Sequence, residues 1–237
     1  MTERDFRGKS AVVTGATSGI GRAIALRMAQ LGATVHALGR DASAMAELTR
    51  AAVGTSGSVK PHFVDLTSDA DLQRVAAGLG NIDLAVHAAA VIKLGTVLAS
   101  PVAGLDWHYQ VNLRAPLLLS QLLLPRLIEC RGQIVFINSS ADRPFGANKS
   151  HYAMTKYALL GLAECLREEV KADGVSVLNV FLGRVATPMQ AAIYDNEGRD
   201  YAPEKLIQPE DVAAAVTNAL LLPRSCEVAT INIRATI

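Results

Sequence analysis

Ser10-Ala11-Val12-Val13-Thr14-Gly15-Ala16-Thr17-Ser18-Gly19-Ile20-Gly21 is the stretch whose reading decides the fold. Residues 10–14 are a short apolar run, which reads as a buried strand. The glycines follow at once. Residues 22–31 then show helical spacing through Ile24, Leu26, Met28 and Leu31. Strand, glycine turn and helix start are therefore contiguous. Such a unit aims backbone N–H groups and the positive end of a helix dipole at an anion. The spacing is G-x-x-x-G-x-G rather than G-x-G-x-x-G, but the physical logic is shared: glycines permit the tight turn and the close approach of a pyrophosphate. Gly15, Thr17, Ser18, Gly19, Ile20 and Gly21 are the candidate contacts.

Outward from this unit, strands and helices alternate. Residues 33–38 read as a second strand that ends at Gly39 and Arg40. A carboxylate at such a strand end would accept from a ribose 2′-hydroxyl and repel a 2′-phosphate. Here a glycine leaves room and a guanidinium matches a phosphate, which favours NADP(H) over NAD(H), with NAD(H) still accommodated. Residues 59–64 form a third strand leading to Asp65 and Leu66. Asp65 can accept from an adenine amino group or cap the next helix, as Thr67, Ser68 or Asp69 could. Further strands read at 82–87, 133–138, 175–181 and 228–233, and helices at 42–53, 101–129, 150–171 and 209–222. The pattern predicts one domain over residues 1–237, a Rossmann-type doubly wound α/β fold. Its parallel sheet has about seven strands and helices on both faces. Residues 190–208 are polar and carry Tyr194, Gly198, Tyr201 and Pro203; they read as an irregular lid or substrate loop.

Bulk properties exclude several function classes. Hydrophobic residues make up 50% of the 237 residues and charged residues 19%, enough to fill a large core. The formal net charge of +1 gives no overall field for nucleic acid or an acidic membrane. Cys130, Cys165 and Cys226 lie far apart, with the spacing of neither a disulfide framework nor a zinc site, so reduced thiols in a cytoplasmic protein are expected. The charged start, Met1 to Asp5, is not a signal peptide. Residues 117–128 are the longest apolar-rich stretch, but Ser120, Gln121, Pro125 and Arg126 interrupt it, and it is too short to span a bilayer. As a helix it is apolar nearly all round and needs cover on more than one side. A homodimer or homotetramer through the helices around 101–130 and 150–171 follows as an expectation.

The chemistry-bearing residues come in the middle of the chain. Tyr152 and Lys156 stand at i and i+4 and share one face of a helix. An ammonium beside a phenol favours the phenolate, so Lys156 is expected to lower the Tyr152 pKa towards working pH and fit it for proton transfer. Asn112 sits mid-helix, where Asn is unfavourable by propensity, so it is either functional or a satisfied buried polar group. No His, Cys or carboxylate cluster offers a metal site.

These residues, in this order, resemble the short-chain dehydrogenase/reductase family in its compact, single-domain form, and the match runs from Gly8 to Ile233. Thr14-Gly15-x-x-x-Gly19-Ile20-Gly21 is similar to the family's cofactor loop and Asp65 to its adenine-contacting aspartate. Asn112 resembles its helix-kinking asparagine, Ser139 its catalytic serine, and Tyr152 with Lys156 its acid/base pair. Residues 183–189 resemble the nicotinamide segment, with Gly183 and Val185 as contacts and Thr187 bonding the carboxamide. The resemblance implies hydride transfer between a nicotinamide and a ketone or secondary alcohol. Tyr152 would donate the proton, Ser139 would bond the substrate oxygen, Lys156 would hold ribose hydroxyls and Asn112 would position a water linking Lys156 to solvent. Two departures stand out. His87-Ala88-Ala89-Ala90 replaces Asn-Asn-Ala-Gly, so Ala88, Ala89 and Ala90 line the cofactor without the family's tying side chain, and some loss of stability or a shifted cofactor fit is expected. Leu182 replaces a proline, which leaves the rigidity of the nicotinamide loop open. His87, on an apolar run, reads as a packing residue rather than a catalyst. The residues expected to wall the substrate pocket are 91–94, 141–145 and the 190–208 loop. A dinucleotide-binding regulator that has lost catalysis is the alternative reading. An extended-type epimerase or dehydratase is disfavoured by chain length and by the glycine spacing.

Overall fold

The apolar runs read from the sequence become seven parallel strands, and the computed structural model describes residues 5–139 and 146–236. The strands are β1 (Ser10–Thr14), β2 (Thr34–Gly39), β3 (Ser58–Phe63), β4 (Leu84–His87), β5 (Gln133–Ser139), β6 (Ser176–Leu182) and β7 (Thr230–Ile233). They form one sheet in the order β3-β2-β1-β4-β5-β6-β7, all paired in parallel. The order reverses between β1 and β4. At that switch point the following segments leave to opposite faces, and a crevice opens at the carboxyl ends of the strands.

Parallel strands covered on both faces must be apolar on both, as Ala11 to Val13 and Ile134 to Ile137 are. One core packs α1 (Gly19–Gln30) and α8 (Pro209–Leu220) on the sheet through Ile24, Met28, Val212 and Val216. The other packs α3 (Asp69–Gly78), α5 (Ala115–Glu129) and α6 (Ser150–Val170) through Leu72, Leu119, Leu123, Leu127, Leu159 and Leu166. The remaining helices are α2 (Ala42–Ala51), α4 (Val102–Tyr109) and α7 (Pro188–Asn196). β3 is an edge strand, and its centre is Lys60-Pro61. No helix among the described residues is long and apolar enough to cross a membrane.

Three expectations are refined or corrected. Residues 101–129 are helical throughout, but α4 passes into α5 through a π-helical turn, Gln110–Arg114, centred on Asn112. Ala115 N–H reaches back to the Gln110 carbonyl, five residues away. Residues 190–208 are not an irregular lid: α7 fills the first part and a short 3₁₀ turn, Pro203–Lys205, the second. The Thr187 hydroxyl caps α7 by accepting from Gln190 N–H at 3.2 Å, and Pro188 starts the helix. Ile193, Tyr194 and Ile207 are buried. A polar average concealed these three anchors. The loop after Leu182 is also firmly held. Gly183 N–H bonds the Ile233 carbonyl at 2.9 Å, Ala186 N–H the Ile207 carbonyl at 2.8 Å and Ile207 N–H the Arg184 carbonyl at 3.2 Å.

His87 packs as expected: it is buried, stacks on Phe136 at 4.9 Å between ring centroids, and its Nε2 lies 2.9 Å from the Ser120 hydroxyl. Burial pushes its pKa down to about 3. His36 and His62 share a contact of 2.9 Å across β2 and β3, and burial first, then the neighbouring His62, lowers His36 to about 4. Both depressed histidines have the same sign. The unfolded chain takes up protons near the ordinary pKa of 6.5, and the folded chain does so only near 3 or 4. Stability is therefore complete above about pH 6.5 and declines as pH falls towards 4, by up to ~1.4 kcal/mol per pH unit for buried His87. Urea midpoints measured from pH 7.5 down to 5 are expected to fall, and His87→Asn is expected to flatten the slope.

Candidate functional site

The crevice at the switch point is a cavity of about 950 Å³. Every residue predicted to contact a cofactor lines it, and so do Ser139, Tyr152 and Lys156. Asn112 does not. Residues 141–145, expected as a pocket wall, lie outside the described residues. From the 91–94 segment Val91 and Ile92 reach the cavity.

The β1 end of the cavity is built for an anion. α1 starts at Gly19 with no side-chain cap from Ser18, so its first N–H groups stay available to a ligand. The turn cannot carry side chains at two points. Gly15 has φ +66°, and a Cβ there would lie 2.8 Å from the Ala89 Cα; at Gly21 a Cβ would press into the Gly15 carbonyl. This cradle fits a pyrophosphate.

The tie that Ala88 cannot make comes from the neighbouring strand. The Thr14 hydroxyl accepts from Ala88 N–H at 3.1 Å and Ala89 N–H at 3.2 Å, which fixes the end of β4 against the glycine turn. Thr14 belongs to the glycine loop by sequence, whereas its tie to Ala88 and Ala89 depends on a strand more than seventy residues away. Its signal is a buried hydroxyl at the last position of an apolar strand.

Asp65 and Arg40 stand at the outer end. The Asp65 carboxylate accepts from Thr67 N–H at 2.9 Å and from the Thr67 hydroxyl at 2.8 Å. Those bonds, with Arg40 nearby, hold its pKa below the usual carboxylate range. Ser68, not Asp65, caps α3, through Asp71 N–H. Arg40 is exposed, and at Gly39 a Cβ would come within 2.5 Å of the Thr17 methyl.

At the inner end, Ser139 leaves β5 and Tyr152 and Lys156 project from α6, one turn apart as read. The Ser139 side chain hydrogen-bonds Tyr152. The Lys156 ammonium lies 5.8 Å from the centre of the Tyr152 ring and donates to the Ile137 carbonyl at 2.9 Å. The expected lowering of the Tyr152 pKa is not what this arrangement produces. Burial pushes the phenol up to about 12, against the smaller downward pull of the Ser139 bond. Burial also brings Lys156 down to about 8. Desolvation disfavours both charged forms, and it is the dominant cause for each.

Asn112 is buried, and both ends of its side-chain amide have partners. Its Oδ1 accepts from Val91 N–H at 2.7 Å, and its Nδ2 donates to the Val91 carbonyl at 3.0 Å and to the Thr155 hydroxyl at 3.1 Å. The π turn swings this side chain out of the helix ladder to bracket Val91. His108, also buried, makes a parallel link: its Nε2 accepts from Lys93 N–H at 3.0 Å, so its Nδ1–H donates to the Gly104 carbonyl at 2.6 Å. Nothing in the sequence marks His108, because its role depends on a loop remote in the chain. Thr187, predicted to meet a carboxamide, spends its hydroxyl on the α7 cap and on the Val185 carbonyl at 3.3 Å. Its methyl closes on Gly19 from across the cavity.

A family model described as short chain dehydrogenase matches residues 9–198. A short-chain type dehydrogenase/reductase of Sinorhizobium fredii, itself uncharacterized, is 34% identical over 97% of this chain and 92% of its own. A metagenomic short-chain oxidoreductase solved in complex with NADP superposes with a TM-score of 0.85 at 29% identity, covering 98% of this chain and 99% of that one. A structure from Beutenbergia cavernae with bound NADP gives a TM-score of 0.86 at 30% identity, with 96% of each chain covered.

Asn112→Leu keeps the branched outline of the side chain but removes the partner of the Val91 N–H and carbonyl. The expected loss is about 2–4 kcal/mol, read from urea unfolding.

Proposed function

The chain belongs to the short-chain dehydrogenase family, and on that premise we propose that it transfers a hydride between NADP(H) and a ketone or secondary alcohol. The observation that carries this reading is the convergence of the glycine turn, Arg40 and the Ser139, Tyr152 and Lys156 side chains on one cavity. NADP in two solved neighbours supports the phosphate-bearing cofactor. Gly15, Gly19 and Gly21 with the start of α1 would hold the pyrophosphate, and Arg40 the 2′-phosphate. When bound, the dinucleotide supplies or takes up the hydride.

The protein's own chemistry is proton handling. With its pKa pushed up to about 12, Tyr152 keeps its proton at neutral pH. It is therefore poised as the acid that protonates a substrate oxygen as charge develops there. Ser139, hydrogen-bonded to that phenol, offers a hydroxyl to the same oxygen. Lys156 keeps N–H groups beyond its bond to Ile137 for the ribose of the nicotinamide half. Asn112 acts as a positioning residue: it holds Val91 at the cavity wall and Thr155 beside Lys156. α7, with buried Ile193 and Tyr194, stands in place of the expected loop as the substrate-side wall. A homodimer or homotetramer would form through α4, α5 and α6, where Trp107, Tyr109, Leu117, Met154 and Tyr157 are exposed.

Tyr152→Phe is expected to abolish NADPH-dependent ketone reduction while NADPH binding, followed by its fluorescence, persists. Turnover near that of the wild type would sink the proton-donor assignment. Arg40→Ala is expected to raise the NADPH dissociation constant on the order of tenfold or more and leave that for NADH little changed. Equal effects on the two cofactors would remove Arg40 from 2′-phosphate recognition.

A further inference from the structure

The cavity has a second charged end. β6 ends at Leu182, and Arg184 follows it, four strands from the Arg40 end of the sheet, roughly 19 Å at the usual strand spacing. The Arg184 guanidinium lies 4.8 Å from the centre of the buried Tyr194 ring. Its Nη2 donates to both Glu197 oxygens, at 3.2 and 3.0 Å. Glu197 also meets Arg199 at 3.1 Å and Lys149 at 3.6 Å. Burial works against the Glu197 charge, but these cations outweigh it and hold the carboxyl below its usual range. One carboxylate thus anchors three cations and neutralises only one of them.

Two donors at this end have no acceptor among the described residues. They are Arg184 Nη1 and Gln190 Nε2, both buried atoms of residues that line the cavity. Leaving a buried donor without a partner costs about 1–3 kcal/mol, and more where it carries charge. Both atoms are shielded from solvent, so the cavity meets the rest of the Arg184 side chain, which is about one-third exposed. Lys149 and Lys205 line the same end, whereas the carboxylate among the described lining residues, Asp65, stands at the Arg40 end. Stacking on Tyr194 and the double bond to Glu197 fix the guanidinium in place, so binding an anion there requires little reordering.

Resting on the reductase reading above, we propose that the substrate is a carbonyl compound that carries an oxyanion, and that Arg184, with Lys149 beside it, binds that group while Tyr152 faces the carbonyl. The Arg184 side chain keeps about a third of its surface exposed, and a planar carboxylate suits a guanidinium, which makes oxo acids the first class to test. Arg184 would then be a specificity-determining residue, distinct from the proton-transfer group.

The test uses the full chain with NADPH and a series of oxo acids of increasing length, each paired with its methyl ester and with a phosphate monoester of similar length. The wild type is expected to favour the charged member at least tenfold in kcat/KM, chiefly through KM, and to lose that margin as salt is raised. The phosphate arm tells which oxyanion is preferred. Arg184→Met keeps an apolar stem against Tyr194 and removes the charge. It is expected to abolish the preference, leave ester turnover and NADPH affinity within about twofold, and be partly rescued in Arg184→Lys. Lys149→Gln gives a smaller loss in the same direction and serves if Arg184→Met fails to fold. Equal use of acid and ester by the wild type, or an equal loss on both in Arg184→Met, would overturn the proposal. If no compound is turned over, the hydride-transfer reading is what fails. Thermal shift of the NADPH-bound protein by the same oxo acids then decides the anion site: stabilisation by the acids, absent with the esters and in Arg184→Met, supports it, and no difference refutes it.

Discussion

The Thr14 hydroxyl holds the two strands whose separation makes the site. β1 and β4 are paired in the sheet up to Thr14 and His87, but beyond those residues the chain leaves the ladder. There the Thr14 hydroxyl accepts from two backbone N–H groups, Ala88 and Ala89. That brings Ala89 up against Gly15, close enough to exclude a side chain there. The cradle for an anion and the floor of the cavity thus depend on one buried oxygen. The family's usual asparagine side chain is missing at Ala88, but the backbone it would tie is still held by Thr14 on the adjacent strand.

A different balance governs the inner end. Tyr152 and Lys156 are one turn apart, and in water the ammonium would win and acidify the phenol. Around them the strand ends and α6 displace part of that water. Desolvation then acts against both charges, raising one pKa and depressing the other. That balance is consistent with the proton-donor role proposed for Tyr152. Asn112 links this end to the cavity wall, since it bonds both Val91 and Thr155, the residue before Lys156.

Much of this was legible in the sequence, for definite reasons. The glycine spacing after Ser10 to Thr14 reports a backbone constraint, and the i, i+4 relation of Tyr152 and Lys156 is fixed by helix geometry. A parallel sheet with helices on both faces follows from the alternation of strands and helices. What escaped depends on contacts between distant residues. Asn112 reveals its role only when Val91 and Thr155 are beside it, and His108 only when Lys93 is. α7 was hidden because its stabilising parts are a cap at Thr187 and three dispersed apolar anchors within polar surroundings. The pKa of Tyr152 turned on burial, which spacing does not encode.

Pro61, at the centre of β3, has a consequence for how copies of this chain can meet. β3 ends the sheet on one side, and an open parallel edge would normally invite another strand to add on. Proline brings no N–H to that edge, and Lys60 beside it would place a charge along the seam. A sheet running continuously from one molecule into the next is therefore blocked on this side. Growth into fibrils by strand addition is resisted there by the same means.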